Sequence, residues 1–510
     1  MRRSEVGRGE QVGTPSPNIP ETKKIDSEIK GTGRELASSV DGRIKEVLVS
    51  FGPITRRGLF ASADISWRHE KMSGTDYGSM SLIMIKNLVQ TLPDGVKLKV
   101  VARSNVNHDG NESLLAEFYS ALQSVGIDNN RVELEIIPNR HQDITKSWMR
   151  DRFLLSADNK KMFVPYLQDE KNEYSKFLSE LAVSLGLEII HCPFYFEGGD
   201  IKVIADKMYL GTKTVVDNLK DRRADDQTTE YQKLLKEFSD FFGMEVVVVG
   251  QQNFSSKLEH ATYASELTFP PLFHLDLYYT PLGNNDKGQP LVAIGDVSLF
   301  YKIIKEQGDD WVEQLHNSFE AVKARKKQES IGFDSNKINV KALESGIRNA
   351  TGPEMKGDFD QFLQKDGRRM IRSASLIRRI SLYLDQVADE ARQRGFEVVR
   401  LPLMPQIADA PFSINLGDTA LITYNNSLVE DFTDKGEHKK RVWLPNYGRT
   451  WKSKKDPDGK RKSTDLLDIV DREAERILRG VGCIVQNVDF GVEHTVDDGS
   501  LHCRLLEFRE

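Results

Sequence analysis

Cysteine is scarce in this chain, with three residues in 510, at positions 192, 483 and 503. They are too few and too scattered for a disulfide framework or a thiolate zinc site. A cytoplasmic protein with reduced thiols is therefore expected. Long apolar runs are also missing. No stretch approaches the roughly 18 apolar residues that a membrane helix needs. The N-terminal Met1-Arg-Arg-Ser-Glu-Val-Gly-Arg-Gly9 carries positive charge with no apolar segment behind it, so no signal peptide is expected either. Neither sign of charge dominates: 71 Lys and Arg stand against 77 Asp and Glu, a net charge of −6. Such a balance argues against a nucleic-acid partner. At 39% hydrophobic residues the chain is polar overall, yet it holds ample material for a core.

What is present is a recurring unit. Residues 1–44 are polar, with few large apolar side chains, and read as a disordered tail. Order is expected from Ile44-Lys-Glu-Val-Leu-Val-Ser-Phe51, which alternates like a strand. Thereafter an amphipathic helix, a glycine near its end and a short apolar strand follow one another repeatedly. Leu114 to Gly126 leads into Val132–Ile137, Tyr174 to Gly186 into Leu187–Ile190, and Tyr231 to Gly243 into Met244–Val249. Ile377 to Gly395 leads into Phe396–Leu401, and Thr464 to Gly482 into Cys483–Gln486, with a further copy at Leu82 to Gly95 and Val96–Val101. Glycine is the residue a helix C-terminus favours, because the backbone there turns left-handed. Residues 300–376, charged and helix-prone, interrupt the series as an insertion. Units of this kind pack either around a shared axis or as one doubly wound sheet; the pattern alone leaves both open.

Four short fragments carry chemistry: Trp148-Met-Arg-Asp151, Phe196-Glu-Gly-Gly-Asp200, Phe273-His-Leu-Asp276 and Gly499-Ser-Leu-His-Cys503. Each has an ordinary explanation. Asp151 could be a surface carboxylate beside an arginine, and a lone buried cysteine is commonly a small hydrophobe. The two glycines between apolar strands fit a tight bend with incidental carboxylates. If His274 and Asp276 lie in a strand, they share one face, with Phe273, Leu275 and Leu277 on the other. The first three fragments add one imidazole and four carboxylates to the thiol of the fourth, a set suited to attack on a planar cation. His191-Cys192-Pro193 ends an apolar strand and reads as core. Lys452 to Lys462 reads as a solvated basic turn. His494 lies in the acidic loop ahead of Gly499.

In order, these fragments resemble those of the guanidino-group-modifying superfamily, which includes agmatine deiminase, the peptidylarginine deiminases, arginine deiminase and the amidinotransferases. Trp148–Asp151 and Leu501-His-Cys503 are most similar to the agmatine and bacterial peptidylarginine deiminase branch. Glu197–Asp200 resembles arginine deiminase, and Pro445-Asn-Tyr-Gly448 resembles a strand-end segment of the first branch. The likeness spans about residues 45 to 510, with 300–376 unmatched, and implies a five-bladed α/β propeller of ββαβ-type units.

The resemblance also implies a hydrolase that deiminates an arginine-type guanidinium to a ureido product, such as citrulline, plus ammonia. Cys503 would be the nucleophile, His274 the acid and base, and Glu197 the group holding that histidine charged. Asp151, Asp276, Asp200 and Trp148 would bind the substrate, a small guanidino compound or an arginine-containing peptide. No metal or other cofactor is implied. The approach Asp497-Asp-Gly-Ser500 is more acidic than the family's glycine run, which favours a cationic substrate. Three other readings use the same residues: an amidinotransferase, a non-catalytic binding protein of the same fold, and a hydrolase holding a metal on His274, Asp276, Glu197 and Asp200. The last of these leaves Cys503 without a role.

Overall fold

The structure is a computed structural model. It describes residues 36–54, 82–104, 116, 118–120, 122–123, 126–138, 149–166, 173–219, 222, 227–250, 274–307, 368–404, 422–448, 466–489 and 501–510. The chain forms five small sheets of mixed direction rather than one continuous doubly wound sheet.

The first sheet runs from β1 (Ile44–Ile54) through β2 (Lys97–Ser104) to β3 (Val132–Pro138), all parallel. The second holds β4 (Leu154–Leu155), β5 (Lys161–Val164) and β6 (Glu188–His191). The third holds β7 (Ile201–Ile204), β8 (Lys207–Leu210) and β9 (Glu245–Val248). The fourth holds β10 (Tyr279–Asn284), β11 (Pro290–Asp296), β12 (Glu397–Met404) and β13 (Ile422–Thr423). The fifth holds β14 (Leu428–Asp434), β15 (Glu437–Asn446) and β16 (Cys483–Asp489). The last strand, β17 (Leu505–Arg509), returns to lie antiparallel beside β1.

Each sheet therefore contains an antiparallel pair whose second strand pairs in parallel with the next one. A parallel neighbour requires a crossover, and helices supply it: Leu82–Thr91, Glu173–Leu185, Gln227–Phe242, Arg368–Gln393 and Leu466–Gly480. The glycines expected at helix ends (95, 126, 186, 243, 395 and 482) all adopt positive φ, between 64° and 90°. Apolar helix faces pack on the sheets. Trp443 of β15, fully buried, donates its indole N–H to the carbonyl of Thr91 at 3.1 Å, tying the fifth sheet to the helix that serves the first.

Two boundaries differ from the sequence reading. Residues 36–43, assigned by composition to a tail, pack on the body: Leu36 and Val40 are buried, and the backbone bonds of Ala37, Ser39 and Gly42 go to Leu155, Val203 and Asp431. Two isolated apolar side chains anchor a segment that is otherwise polar. The ends of the expected insertion are helical, at Val297–Lys305 and from Arg368 onward. Residues 1–35 and 308–367 lie outside the described residues, as do the basic turn at 452–462 and His494. Cys192 is core, packed among Phe194, Phe196 and Phe163. Among the described residues no helix is long and apolar enough to cross a membrane.

Candidate active site

The site residues share a position in the repeat: the short turn just ahead of the first strand of each sheet. Asp151 lies in the 3-10 turn Arg150–Arg152 ahead of β4, and Glu197 precedes the turn Gly198–Asp200 ahead of β7. His274 precedes the turn Leu275–Leu277 ahead of β10. Cys503 lies in the single helical turn Leu501–Arg504 that runs into β17. The strand expected over His274–Asp276 is thus a tight turn. His274 and Asp276 still reach one place: His274, the extended residue before the turn, and Asp276, inside it, both come up against Gly199.

Glycine makes the convergence possible. A Cβ on Gly199 would lie 2.9 Å from Asp151 Oδ1, 2.9 Å from His274 Nδ1 and 3.2 Å from Asp276 Oδ1. On Gly198 it would lie 2.1 Å from the carbonyl oxygen of Arg150. Only glycine lets the two turns come this close, and the contact is used: Gly199 N–H donates to Asp151 Oδ1 at 3.0 Å.

His274 is buried and its Nε2 sits 2.5 Å from Glu197 Oε2, while Nδ1 lies 3.7 Å from Asp151 Oδ1. Burial alone would push the imidazole pKa down, but Asp151 and Glu197 outweigh it and hold His274 well above the ordinary histidine value. Burial works to raise Glu197, yet His274, and Lys213 at 3.0 Å, keep that carboxylate well below its usual range. Burial raises Asp151 to about 6 against the attraction of His274.

Cys503 is buried. Its Sγ is 3.3 Å from Asp276 Oδ2 and accepts from Asn426 Nδ2 at 3.0 Å, while its backbone N–H donates to Asn426 Oδ1 at 3.1 Å. Burial, reinforced by the Asp276 charge, pushes the thiol up to about 12. Asp276 is fully buried. Its desolvation is overcome by the His502 hydrogen bond, Lys202 and His274, which hold the carboxylate well below its usual range. Its Oδ2 accepts from His502 Nδ1 at 2.7 Å, whereas Oδ1 has no hydrogen-bond partner among the described residues. A buried anionic oxygen without a donor is costly, so this atom marks where a donor belongs.

Asp200, expected among the substrate-binding carboxylates, does something else. Its Oδ2 accepts from Thr214 N–H at 2.8 Å and from Thr214 Oγ1 at 2.7 Å, and its Oδ1 accepts from Leu275 N–H at 3.0 Å. Both oxygens are thereby committed to holding the His274–Asp276 turn against the helix Thr212–Leu219. Trp148 lies outside the described residues. Sequence reading missed Asn426, Lys202 and Lys213. Asn426 had a signal, since it stands two residues before β14, the place that the other sheets fill with catalytic candidates.

His274, Asp276 and Cys503 place one potential metal-ligand atom each within 4.8 Å of one another. The histidine and the cysteine already have protein partners in Glu197 and Asn426, which leaves Asp276 Oδ1 as the atom with unused capacity.

No family model and no curated protein matches the chain. Solved structures do. The chain is similar to the agmatine deiminase of C. jejuni, at 12% identity over 93% of this chain and 96% of that one, with a TM-score of 0.46. It also matches a dimethylarginine dimethylaminohydrolase in adduct with 4-chloro-2-hydroxymethylpyridine, at 13% identity over 91% and 100% of the two chains, TM-score 0.29. A third match is DDAH from Pseudomonas aeruginosa complexed with citrulline, at 12% identity over 91% and 99%, TM-score 0.31. Agmatine deiminase is among the enzymes that the sequence fragments resemble.

Proposed function

We propose that this protein is a guanidino-group hydrolase of the deiminase type. Its five sheets would be the blades of a five-bladed α/β propeller formed by residues 36–510, with an insertion between the helices Val297–Lys305 and Arg368–Gln393. The observation that carries the reading is the buried, unpartnered Asp276 Oδ1 beside a cysteine thiol and a histidine held as imidazolium. A guanidinium supplies N–H donors and a positive charge to such a carboxylate, and its central carbon is the electrophile that a neighbouring thiolate attacks.

Asp276 and Asp151 grip the N–H edges of the guanidinium. The Cys503 thiol, unfavourable to ionise while buried beside Asp276, gives its proton to solvent water as the cation binds alongside. The thiolate forms an S–C bond to the central carbon, and Asn426 N–H stabilises the sulfur. His274 gives its proton to the departing nitrogen as the C–N bond breaks, releasing ammonia and leaving a thiouronium on Cys503. The now neutral His274 takes a proton from water as the hydroxyl adds to the same carbon; the C–S bond then breaks with its electron pair going to sulfur, and the hydroxyl proton passes to Cys503, leaving a neutral ureido product and the resting thiol. Glu197, steadied by Lys213, keeps His274 charged in the resting state.

The test is a screen of agmatine, free arginine and an arginine-containing peptide for ammonia and ureido product. Release of ammonia from one of them, lost in Cys503→Ser, is expected. Formation of a new guanidino compound from an added amine, with no ureido product, would replace hydrolysis by amidino transfer. No covalent adduct and no product with any of the three would overturn the reading.

A further inference from the structure

Lys202, on β7, is 4% exposed, and its ammonium makes one hydrogen bond recorded among the described residues, to His502 Nε2 at 2.9 Å. A buried lysine donating to an imidazole is an unusual arrangement, because the cation gains no carboxylate in direct contact to offset its desolvation. The charges facing it come from separate elements: Asp276 from the turn ahead of β10, Arg150 from the turn ahead of β4, Glu507 from β17 and Cys503 from the turn before it.

The bond has a consequence for His502. An ammonium has donors only, so His502 Nε2 must accept, which makes Nδ1 the protonated nitrogen of a neutral ring. Burial, Arg150 and Lys202 disfavour a second proton and push His502 down to about 3. Nδ1–H then points at Asp276 Oδ2 at 2.7 Å, the same oxygen that lies 3.3 Å from Cys503 Sγ. Both interior contacts fall on one oxygen of Asp276, and the other is turned to the site with its lone pairs unused.

We propose that Lys202 and His502 are a positioning pair: Lys202 fixes the His502 tautomer, and His502 in turn locks the Asp276 carboxylate so that Oδ1 faces the substrate. Lys202 also supplies, from behind the site, a positive charge that helps Asp276 and the Cys503 thiolate coexist in a buried space. The pair touches neither the reacting carbon nor the leaving group. This inference deepens the guanidino-hydrolase reading and rests on it for its kinetic part.

The experiment compares Lys202→Met and Lys202→Gln with the parent protein in three readouts. The first is thermal stability. The second is the rate at which methyl methanethiosulfonate, a small neutral probe, labels Cys503 at fixed pH, followed by peptide mass. The third is kcat and KM for the guanidino substrate. Methionine removes a buried cation and fills its space, so Lys202→Met is expected to melt no lower than the parent protein. Labelling of Cys503 should slow by about tenfold, because a nearby cation that favours the thiolate is gone. KM should rise about tenfold or more as Asp276 loses its fixed orientation. Lys202→Gln keeps a donor for His502 without the charge. It should recover much of the KM but not the labelling rate, which separates the two roles of the lysine. Unchanged labelling and KM in Lys202→Met would overturn the proposal, and so would a variant that fails to fold, which would mark the lysine as structural. Should the parent protein process no guanidino compound, the function proposed above fails, while the labelling rates still decide whether Lys202 acts on the thiol.

Discussion

Burial holds Cys503 as a thiol, and Asp151 and Glu197 hold His274 as an imidazolium. In the proposed reaction attack depends on a bound cation, and an oxygen nucleophile at its ordinary pKa would not respond to it. Cys503→Ser should keep the parent melting temperature and release no detectable ammonia; residual turnover above a few per cent would end the covalent mechanism. The two aspartates proposed to grip the cation differ. Asp276 is ionised across the working range, whereas Asp151 is raised to about 6. The rise of kcat/KM with pH should therefore centre near pH 6 and disappear in Asp151→Asn. A carboxylate raised in the folded state binds its proton more tightly there than in the unfolded chain. Its charge therefore opposes folding as pH climbs from the ordinary value of 3.8 through about 6. Asp151→Asn should accordingly melt higher than the parent at neutral pH, an advantage that vanishes in acid, while kcat/KM falls at least roughly ten- to a hundredfold. A variant that loses stability at neutral pH would contradict this account of Asp151.

Among elements, the decisive ones are short turns rather than helices. Asp200 staples the turn Leu275–Leu277 to the helix Thr212–Leu219 through three accepted bonds. Asp200→Ala leaves the amides of Leu275 and Thr214 without that acceptor and should cost about 3 kcal/mol or more, measured by urea unfolding. Activity should fall further than stability does, because His274 and Asp276 sit on the loosened turn. These turns also mark the limit of what sequence reading reached. Helices and their glycine stops were legible because both obey local rules: a 3.6-residue apolar period and a left-handed C-terminal residue. That Cys503, His274, Glu197, Asp151 and Asp276 belong to one place was legible, since each lies in a short polar fragment beside glycine or at a strand end. The division of labour among the carboxylates was not. Asp200 and Asp276 look alike in sequence, and only their partners in space, Thr214 and Leu275 for one and His502 and Cys503 for the other, give them different tasks. Asn426 was passed over because an amide beside another amide, Asn425, carries no local mark of function. Lys202 sits in an apolar strand, where a lysine reads as a solvent-facing exception rather than a buried charge.

At the scale of the whole molecule, β17 does two jobs: it seals the first sheet and follows directly on the turn that holds Cys503. Its Glu507 is ion-paired with both Arg150, next to Asp151, and Arg509. Arg509 donates in turn to the backbone carbonyls of Ser39, Val40 and Val429. Burial opposes the charge on Glu507, but Arg150 and Arg509 hold it well below the usual carboxylate range. Its contribution is therefore present above the unfolded pKa and lost as acid titrates the folded carboxylate. Glu507→Leu strands two buried guanidinium groups and should cost about 3–5 kcal/mol, with the loss seen at neutral pH and narrowing toward strong acid in melting experiments.

The pairing of β17 with β1 also has a temporal meaning. Arg509 grips the carbonyl of Val40, a residue 469 positions earlier in the chain. On the ribosome, β1 emerges first and waits for its antiparallel neighbour until nearly all the rest of this chain has been threaded out. The strand it waits for follows directly on the turn that holds Cys503, the proposed nucleophile. Loop-closure entropy for so distant a contact can be repaid only when the intervening units are in place. Chains that stop short of β17 lack the antiparallel neighbour of β1, and the activity proposed above is expected only once that strand has docked.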